Sequence, residues 1–384
     1  MTPTSAPFDC FAIVAPGLEP FALAEANALG LGAVLEEGGI AWTGDARSAL
    51  VANAGLRIAS RVLVRLASFE ARSFAELERH ARKVPWARVL KAGDAVRFRV
   101  TCKKSRLYHS DAVAQRVADA VMRVVPGARA HGGSVGDDDV VDDDASLVVV
   151  RVMRDRVTVS GDSSGALLHR RGYRQATAKA PLRETIAAAM ISASGWDERS
   201  PLVDPLCGSG TIPIEAAMVA RRLAPGAQRI FAMERWPTVP RSLGDEVRAE
   251  LAERALARAD VIIVGSDRDG GAITAATSNA ERAGVASDVT WAERSLSAAQ
   301  FSQSAKGWVV TNPPYGVRVG DADRVRDLWA QLGNVLRDRA AGWRVALLSP
   351  DAALDRQLRI PLRVAATTSN GGIPVRMMVG GVPE

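Results

Sequence analysis

The ten residues from Gly307 to Gly316 read Gly-Trp-Val-Val-Thr-Asn-Pro-Pro-Tyr-Gly. Two adjacent prolines cannot donate to a sheet's hydrogen-bond ladder, so the apolar run Trp308-Val309-Val310 has the character of a buried parallel strand that must stop at Asn312. Strands of that kind belong to α/β sheets, whose ligands sit just beyond the carboxyl ends of the strands. Asn312, the carbonyl of Pro313 and the ring of Tyr315 therefore project where chemistry happens. The rest of the chain has to supply what they act with.

A second stretch provides a partner. Pro201 to Thr211 (Pro-Leu-Val-Asp-Pro-Leu-Cys-Gly-Ser-Gly-Thr) reads as a strand, a glycine-bearing turn and then a helix from about Ile212 to Leu223. Glycines at such a turn let the backbone pass close to a ligand, and the helix that follows offers free N–H groups. The full Gly-x-Gly-x-x-Gly is absent and no Gly-Lys-Ser/Thr follows, which argues against a dinucleotide or P-loop site. A third stretch, Val261 to Asp267, is a buried-type strand ending in an acid that can accept both hydroxyls of a ribose. The competing role for Asp267 is to cap the helix holding Ala272, Ile273, Ala276 and Asn279, but Asp269 can do that instead.

With 384 residues the chain exceeds one typical core, and two or more domains are expected. No stretch approaches the roughly 18 apolar residues of a membrane span and no signal peptide is evident, so a cytoplasmic location follows and no membrane partner is expected. Cys10, Cys102 and Cys207 form no Cys-x-x-Cys pair, so neither a disulfide framework nor a zinc site is indicated and no metal is expected. Charge is distributed unevenly. Residues 1–46 hold six acids and no Lys or Arg, residues 47–183 hold 26 basic and 14 acidic side chains, and residues 184–384 hold 23 of each. A basic module beside a neutral one suits an enzyme that grips nucleic acid through its phosphates; the alternative is a set of scattered, solvated arginines.

Along the first half, a strand over 8–16, a helix to about Leu29, two short strands and a helix near 45–53 suggest a small α+β unit. Strands over 61–68 and 95–102, a helix over 74–83, an amphipathic helix over 111–124 and a hairpin from Ser146 to Ser160 follow. Asp137 to Asp144 reads as an exposed acidic loop whose spacing does not match a calcium-binding EF-hand. The segment Cys102-Lys103-Lys104-Ser105-Arg106-Leu107-Tyr108-His109-Ser110, with the Val-rich helix after it, resembles the THUMP domain of RNA-modifying enzymes. The next segment, Asp162 to Arg174, resembles the junction leading from that domain into the catalytic domain of the bacterial 23S rRNA guanine-N2 methyltransferases. Asp204-Pro205 before the glycine turn and Asn312-Pro313-Pro314-Tyr315 about a hundred residues later stand in the order of a class I S-adenosylmethionine-dependent methyltransferase.

The likeness implies an α/β fold: a Rossmann-like class I methyltransferase domain with a seven-stranded sheet over 183–384, preceded by a ferredoxin-like unit over 1–60, a THUMP domain over 61–165 and a basic junction over 166–182. It implies a cofactor site of Asp204, Pro205, Cys207, Gly208, Ser209, Gly210, Thr211, Asp267 and Asn312, and an RNA-contacting set of Lys103, Lys104, Arg106, Tyr108 and His109. Arg170, Arg171 and Arg174 read either as a phosphate-contacting turn or as a cluster holding two domains together through carboxylates. Relatives place an Asp on the adenine side, where this chain has Glu293-Arg294-Ser295-Leu296. Ser295 occupies that position; Ser295, Glu293 or the backbone alone would accept the adenine amine.

The chemistry implied is transfer of a methyl group from S-adenosylmethionine to N2 of a guanine in RNA, ribosomal RNA first and tRNA second. Asn312 and the Pro313 carbonyl would each take one N–H of the exocyclic amine, and Tyr315 would stack on the splayed base. The alternatives are an adenine-N6 methyltransferase on nucleic acid, a protein-glutamine enzyme, against which the basic middle argues, and a non-catalytic RNA-binding or ribosome assembly factor.

Overall fold

The computed structural model describes residues 7–136, 145–175, 182–302, 305–315 and 322–384; the acidic run 137–144 lies outside them. The N-terminal half begins with β1 (Phe8–Ile13), α1 (Glu19–Ala28), β2 (Val34–Glu36), β3 (Gly39–Gly44), α2 (Ala46–Gly55) and β4 (Arg61–Glu70). It continues through α3 (Phe74–Ala81), β5 (Ala95–Lys103), α4 (Ser110–Val124), β6 (Arg129–Ser134), β7 (Ala145–Met153) and β8 (Arg156–Asp162). These strands form one eight-stranded sheet in the order β2-β3-β1-β4-β8-β7-β5-β6, running without a break through β4, so the sheet crosses residue 60. β5 shows why the alternation was readable: Val96, Phe98 and Val100 are buried, and Val113, Val117 and Val121 of α4 are fully buried too. Val124 at the helix end is exposed, and Val125 just beyond it is buried. β6 (Arg-Ala-His-Gly-Gly-Ser) carries no apolar run and exists because β5 offers it a parallel edge.

The second half opens with α5 (Glu184–Ser194), β9 (Leu202–Asp204), α6 (Thr211–Ala220) and α7 (Leu243–Glu253), followed by β10 (Ile263–Asp267), α8 (Gly270–Arg282) and β11 (Thr290–Glu293). It ends with β12 (Trp308–Thr311), α9 (Ala322–Arg339), β13 (Arg344–Ser349), α10 (Ala352–Leu358), β14 (Leu362–Asn370) and β15 (Ile373–Gly381). The seven strands lie in the order β11-β10-β9-β12-β13-β15-β14, parallel except for β15, which runs antiparallel to both neighbours. Both faces are covered. On β12, Val310 packs into the core shared with α5, α6 and the N-terminal half, while Val309 packs into a second core with Trp329, Leu332 and Leu336 of α9. Successive side chains of a strand point to opposite faces, which is why a continuous apolar run is needed here.

This order reverses between β9 and β12, the two strands whose carboxyl ends carry Asp204 and Asn312. Ligands of doubly wound sheets bind at such a switch point. Among the described residues, no helix is long and apolar enough to cross a membrane and no cluster of metal-ligating side chains is present.

Candidate active site

Asp204 ends β9, and β12 ends at Thr311, one residue before Asn312. The Thr311 hydroxyl donates to the Asp204 carboxylate at 2.6 Å, tying the two strands together across the switch point. Asp204 is buried, and that burial pushes its pKa up to about 7 against the bonds from Thr311 and the Leu206 N–H; Asp267 nearby adds to the rise. Pro205 and Leu206 then turn the chain away from the sheet, and the Cys207 N–H donates to the Ser266 carbonyl of β10. Burial raises the Cys207 thiol far above its usual range, which leaves it uncharged.

Two glycines make the turn that follows. Gly208 has φ +52° and Gly210 φ +83°, both in the left-handed region that side chains disfavour. Their surroundings differ. A Cβ on Gly210 would lie 2.6 Å from Trp291 of β11 and 2.9 Å from Ala276 of α8, whereas one on Gly208 would meet no protein atom within 4 Å. Gly210 is also the N-cap of α6, with no side chain capping the first turn, so the helix presents its N–H groups toward the cleft. The Asn279 amide of α8 fixes the Ser209 carbonyl at 3.1 Å.

Asp267 ends β10 half-buried, accepting from the Gly208 N–H at 3.0 Å and the Asp269 N–H at 3.1 Å. The cap of α8 is Asp269, which accepts from Gly271 and Ala272, so Asp267 is not the capping residue. Ser295 lines the cleft, with its hydroxyl 3.0 Å from that of Ser297. Glu293, level with Asp267 in the ladder, leans toward Gly270 at the start of α8.

Opposite the glycine turn, the side-chain oxygen of Asn312 is buried and has no hydrogen-bond partner. Such an acceptor costs roughly 1–3 kcal/mol of lost hydration unless something else occupies it. Pro313 is buried beside it, and the exposed Pro314 is held through its carbonyl by the indole N–H of Trp329 at 3.1 Å. Tyr315 is half-buried; its hydroxyl accepts from the Asn370 amide at 2.8 Å, and burial raises its pKa. Asp204, Cys207, Gly208, Ser209, Thr211, Asp267, Ser295, Asn312, Pro313, Pro314 and Tyr315 all line one cleft of about 1700 Å³. That exceeds the roughly 300–1,000 Å³ of a site for one small ligand, so there is room for two reactants.

The basic segments divide. Lys103 at the end of β5 is exposed, as are Lys104, Arg106, Tyr108 and His109 on the loop that follows, which is pinned by buried Leu107 and by the bond from the Arg106 N–H to Asp155. The rings of Tyr108 and His109 lie 4.1 Å apart. Arg170 is exposed as well, but a phosphate-contacting role for Arg171 and Arg174 is corrected by their bonding. Arg171 is buried, with its guanidinium 2.8 Å from Glu215 of α6, and Arg174 grips Glu184 of α5 with two bonds of 3.0 Å. Carboxylates inside the protein outcompete solvent for both.

No motif in the sequence marks the wall made by α9 (Val325, Leu328, Gln331) or by the β14–β15 turn (Asn370, Gly371, Ile373) as part of the site. Asn370-Gly371-Gly372 does carry a hairpin-turn signal, and both glycines have positive φ. That the turn folds over the site depends on the sheet order, which no local signal contains.

A family model described as UPF0020, RMKL-like, methyltransferase domain matches residues 171–377, and one described as the RlmL ferredoxin-like domain matches residues 9–63. The protein slr0064 of Synechocystis, whose name assigns it provisionally to the RNA methyltransferases, is 32% identical over 96% of this chain and 95% of its own. The ribosomal RNA large subunit methyltransferase K/L of Syntrophotalea carbinolica is 34% identical over 99% of this chain but 54% of its own length, so the chain spans about half of that enzyme. The crystal structure of SMU.472 complexed with SAH superposes with a TM-score of 0.86 at 28% identity, covering 98% of both chains.

Proposed function

The chain belongs to the RMKL-like family of S-adenosylmethionine-dependent methyltransferases, with a ferredoxin-like N-terminal unit, and on that premise we propose that it methylates the exocyclic N2 of a guanine in ribosomal RNA. The observation that carries this reading is the buried, unpartnered oxygen of Asn312 at the switch point of the sheet. An acceptor left open there awaits a donor, and a planar NH2 group supplies one.

The residues fit the cofactor. The Gly208–Gly210 turn leaves a cradle on the cleft side of Gly208 that a Cβ would begin to fill, the α6 N–H groups face the same space, and Asp267 keeps a half-exposed carboxylate for ribose hydroxyls. Ser295, which lines the cleft, is the side chain we assign to the adenine in preference to Glu293. S-adenosylmethionine supplies, when bound, an electrophilic methyl group. The protein's part is to make the amine a nucleophile. A base amine is a poor one because its lone pair is delocalised into the ring. Asn312 Oδ1 and the Pro313 carbonyl each accept one N–H, which holds the nitrogen pyramidal and directs the freed lone pair across the cleft. Tyr315 stacks on the base, which is splayed out of its RNA helix to reach the pocket.

RNA as the substrate is supported by the names of the relatives and by the exposed basic and aromatic loop Lys103–His109. We assign the grip on RNA to a THUMP module over residues 61–165, between the ferredoxin-like unit of 1–60 and the junction of 166–182, with the catalytic domain from 183 onward. The direct test is transfer of labelled methyl to total RNA from cells lacking the gene, followed by nucleoside analysis. N2-methylguanosine in large-subunit ribosomal RNA is expected, and Asn312→Ala should abolish it, with a loss in kcat far larger than any loss of affinity for S-adenosylhomocysteine. Labelled N6-methyladenine would assign the same machinery to another base. Absence of label in RNA from an enzyme that binds cofactor would overturn the proposal.

A further inference from the structure

Asn370 closes the β14–β15 hairpin, and its side-chain amide donates to the Tyr315 hydroxyl at 2.8 Å, 55 residues away along the chain. Both residues line the cleft, together with Gly371 and Ile373 of the same turn. The turn itself is rigidly built: Gly371 and Gly372 take φ of +58° and +83°, the pairing of two left-handed residues that closes a tight hairpin, and Asn370 is in register with Ile373. Behind it, Arg376–Gly381 of β15 pairs with β13, while Ile373–Val375 pairs with β14 alone, so the turn is the tip of a hairpin rooted in the catalytic sheet.

Tyr315 packs against the main core but lies outside the hydrogen-bond ladder of the sheet. It follows two prolines whose backbone has left the sheet, and its ring is only half-buried. A ring meant to stack on a base has to present one face, and a phenol held at its oxygen by a fixed donor cannot swing out of that plane. We propose that Asn370 is a positioning residue, which locks the Tyr315 ring in the orientation that receives the target base. The inference rests on the reading of Tyr315 as the stacking residue, and it makes the β14–β15 hairpin a working part of the base pocket. Ile373, exposed although apolar, stands on the same turn, where it can pack against the edge of that base.

The experiment is a double-mutant cycle between Asn370→Ala and Tyr315→Phe, with thermal midpoints and calorimetric affinity for S-adenosylhomocysteine measured alongside. Each single change should lower kcat/KM for RNA by about fivefold, the worth of one net hydrogen bond. The pair together should lose no more than either alone, and cofactor affinity should stay unchanged throughout. Multiplying losses would overturn the proposal, as would loss of cofactor binding in Asn370→Ala, since Asn370 would then be acting elsewhere. A second measurement needs no RNA. In protein carrying 3-fluorotyrosine, the Tyr315 signal is the one missing from Tyr315→Phe, and Asn370→Ala should shift it while leaving Tyr108 and Tyr173 in place. An unmoved Tyr315 signal would refute the bond even if the substrate were not RNA; a moved one with no RNA labelled by the wild type would refute the proposed function alone.

Discussion

Two glycines with one residue between them, Gly208 and Gly210, should respond to the same substitution in different ways. Gly208→Ala places a methyl group where no protein atom lies within 4 Å, at a φ of +52° that alanine tolerates at a cost of about 1–2 kcal/mol. Gly210→Ala meets a comparable backbone cost at φ +83° and in addition drives its Cβ to 2.6 Å from Trp291 and 2.9 Å from Ala276. Overpacking of that kind costs roughly 1–3 kcal/mol, for a total of about 2–5 kcal/mol. Gly210→Ala should therefore be the destabilised protein, read as a lower urea midpoint at unchanged slope. Gly208→Ala should keep most of its stability but lose affinity for S-adenosylhomocysteine by tenfold or more, about 1.4 kcal/mol, because its methyl group takes up room in the cleft. Equal destabilisation of the two variants, or undiminished affinity in Gly208→Ala, would refute the assignment of Gly208 to the cofactor wall and Gly210 to the packing behind it.

Arg171→Met should cost about 3–5 kcal/mol in urea unfolding, because it leaves the fully buried Glu215 without its closest cation, whereas Arg170→Met at the exposed neighbour should stay within about 0.5 kcal/mol of wild type. Asp204 has a folded pKa of about 7 against an ordinary 3.8, so between those values the unfolded chain has released a proton that the native state keeps. Stability should fall as pH rises across that window and level off above it, and Asp204→Asn should flatten the slope in unfolding curves taken from pH 4 to 8. Neutralising Lys104 or Arg106 should weaken RNA binding and reduce the slope of log affinity against log salt by about 1 each, as expected of exposed phosphate contacts. An unchanged salt slope would remove those residues from the RNA interface.

The parts of the site that were legible are those specified by local covalent geometry. The adjacent Pro313 and Pro314 remove two successive ladder donors and so end the strand, and the glycines at 208 and 210 mark a turn through backbone conformations that side chains disfavour. Asp267 could be separated from a capping role because Asp269, two residues on, is the better cap, and the structure uses it so. What could not be read depends on partners distant in sequence. β6 has no strand composition and forms because β5 offers it an edge. Asn370 reaches Tyr315 only because β15 turns back antiparallel and carries the hairpin over the site. The arginines at 170, 171 and 174 looked alike in the chain, and burial separated them.

That separation bears on how the two halves work together. Helix α6 starts at the glycine turn of the cofactor site, and its far end is held by the N-terminal half: the Arg57 guanidinium, just after α2, donates to the carbonyls of Met218 and Leu223 at 3.3 and 2.5 Å. Midway along α6, Glu215 receives Arg171 at 2.8 Å and the Tyr173 hydroxyl at 3.0 Å, both from the junction. Tyr173 is linked in turn to α8, whose Arg282 donates to its backbone carbonyl at 2.7 Å. A cation at a helix C-terminus is favourable, and removing one member of a buried ion pair is costly whatever the pair itself contributes. The eight-stranded sheet and the glycine turn therefore bear on opposite ends of one ten-residue helix. Any displacement of the N-terminal half would have to break buried charge contacts before it could move independently of the cofactor turn. Under the proposed function, a substrate gripped by the exposed loop of the first half would be presented to Asn312 at a distance set by these buried contacts.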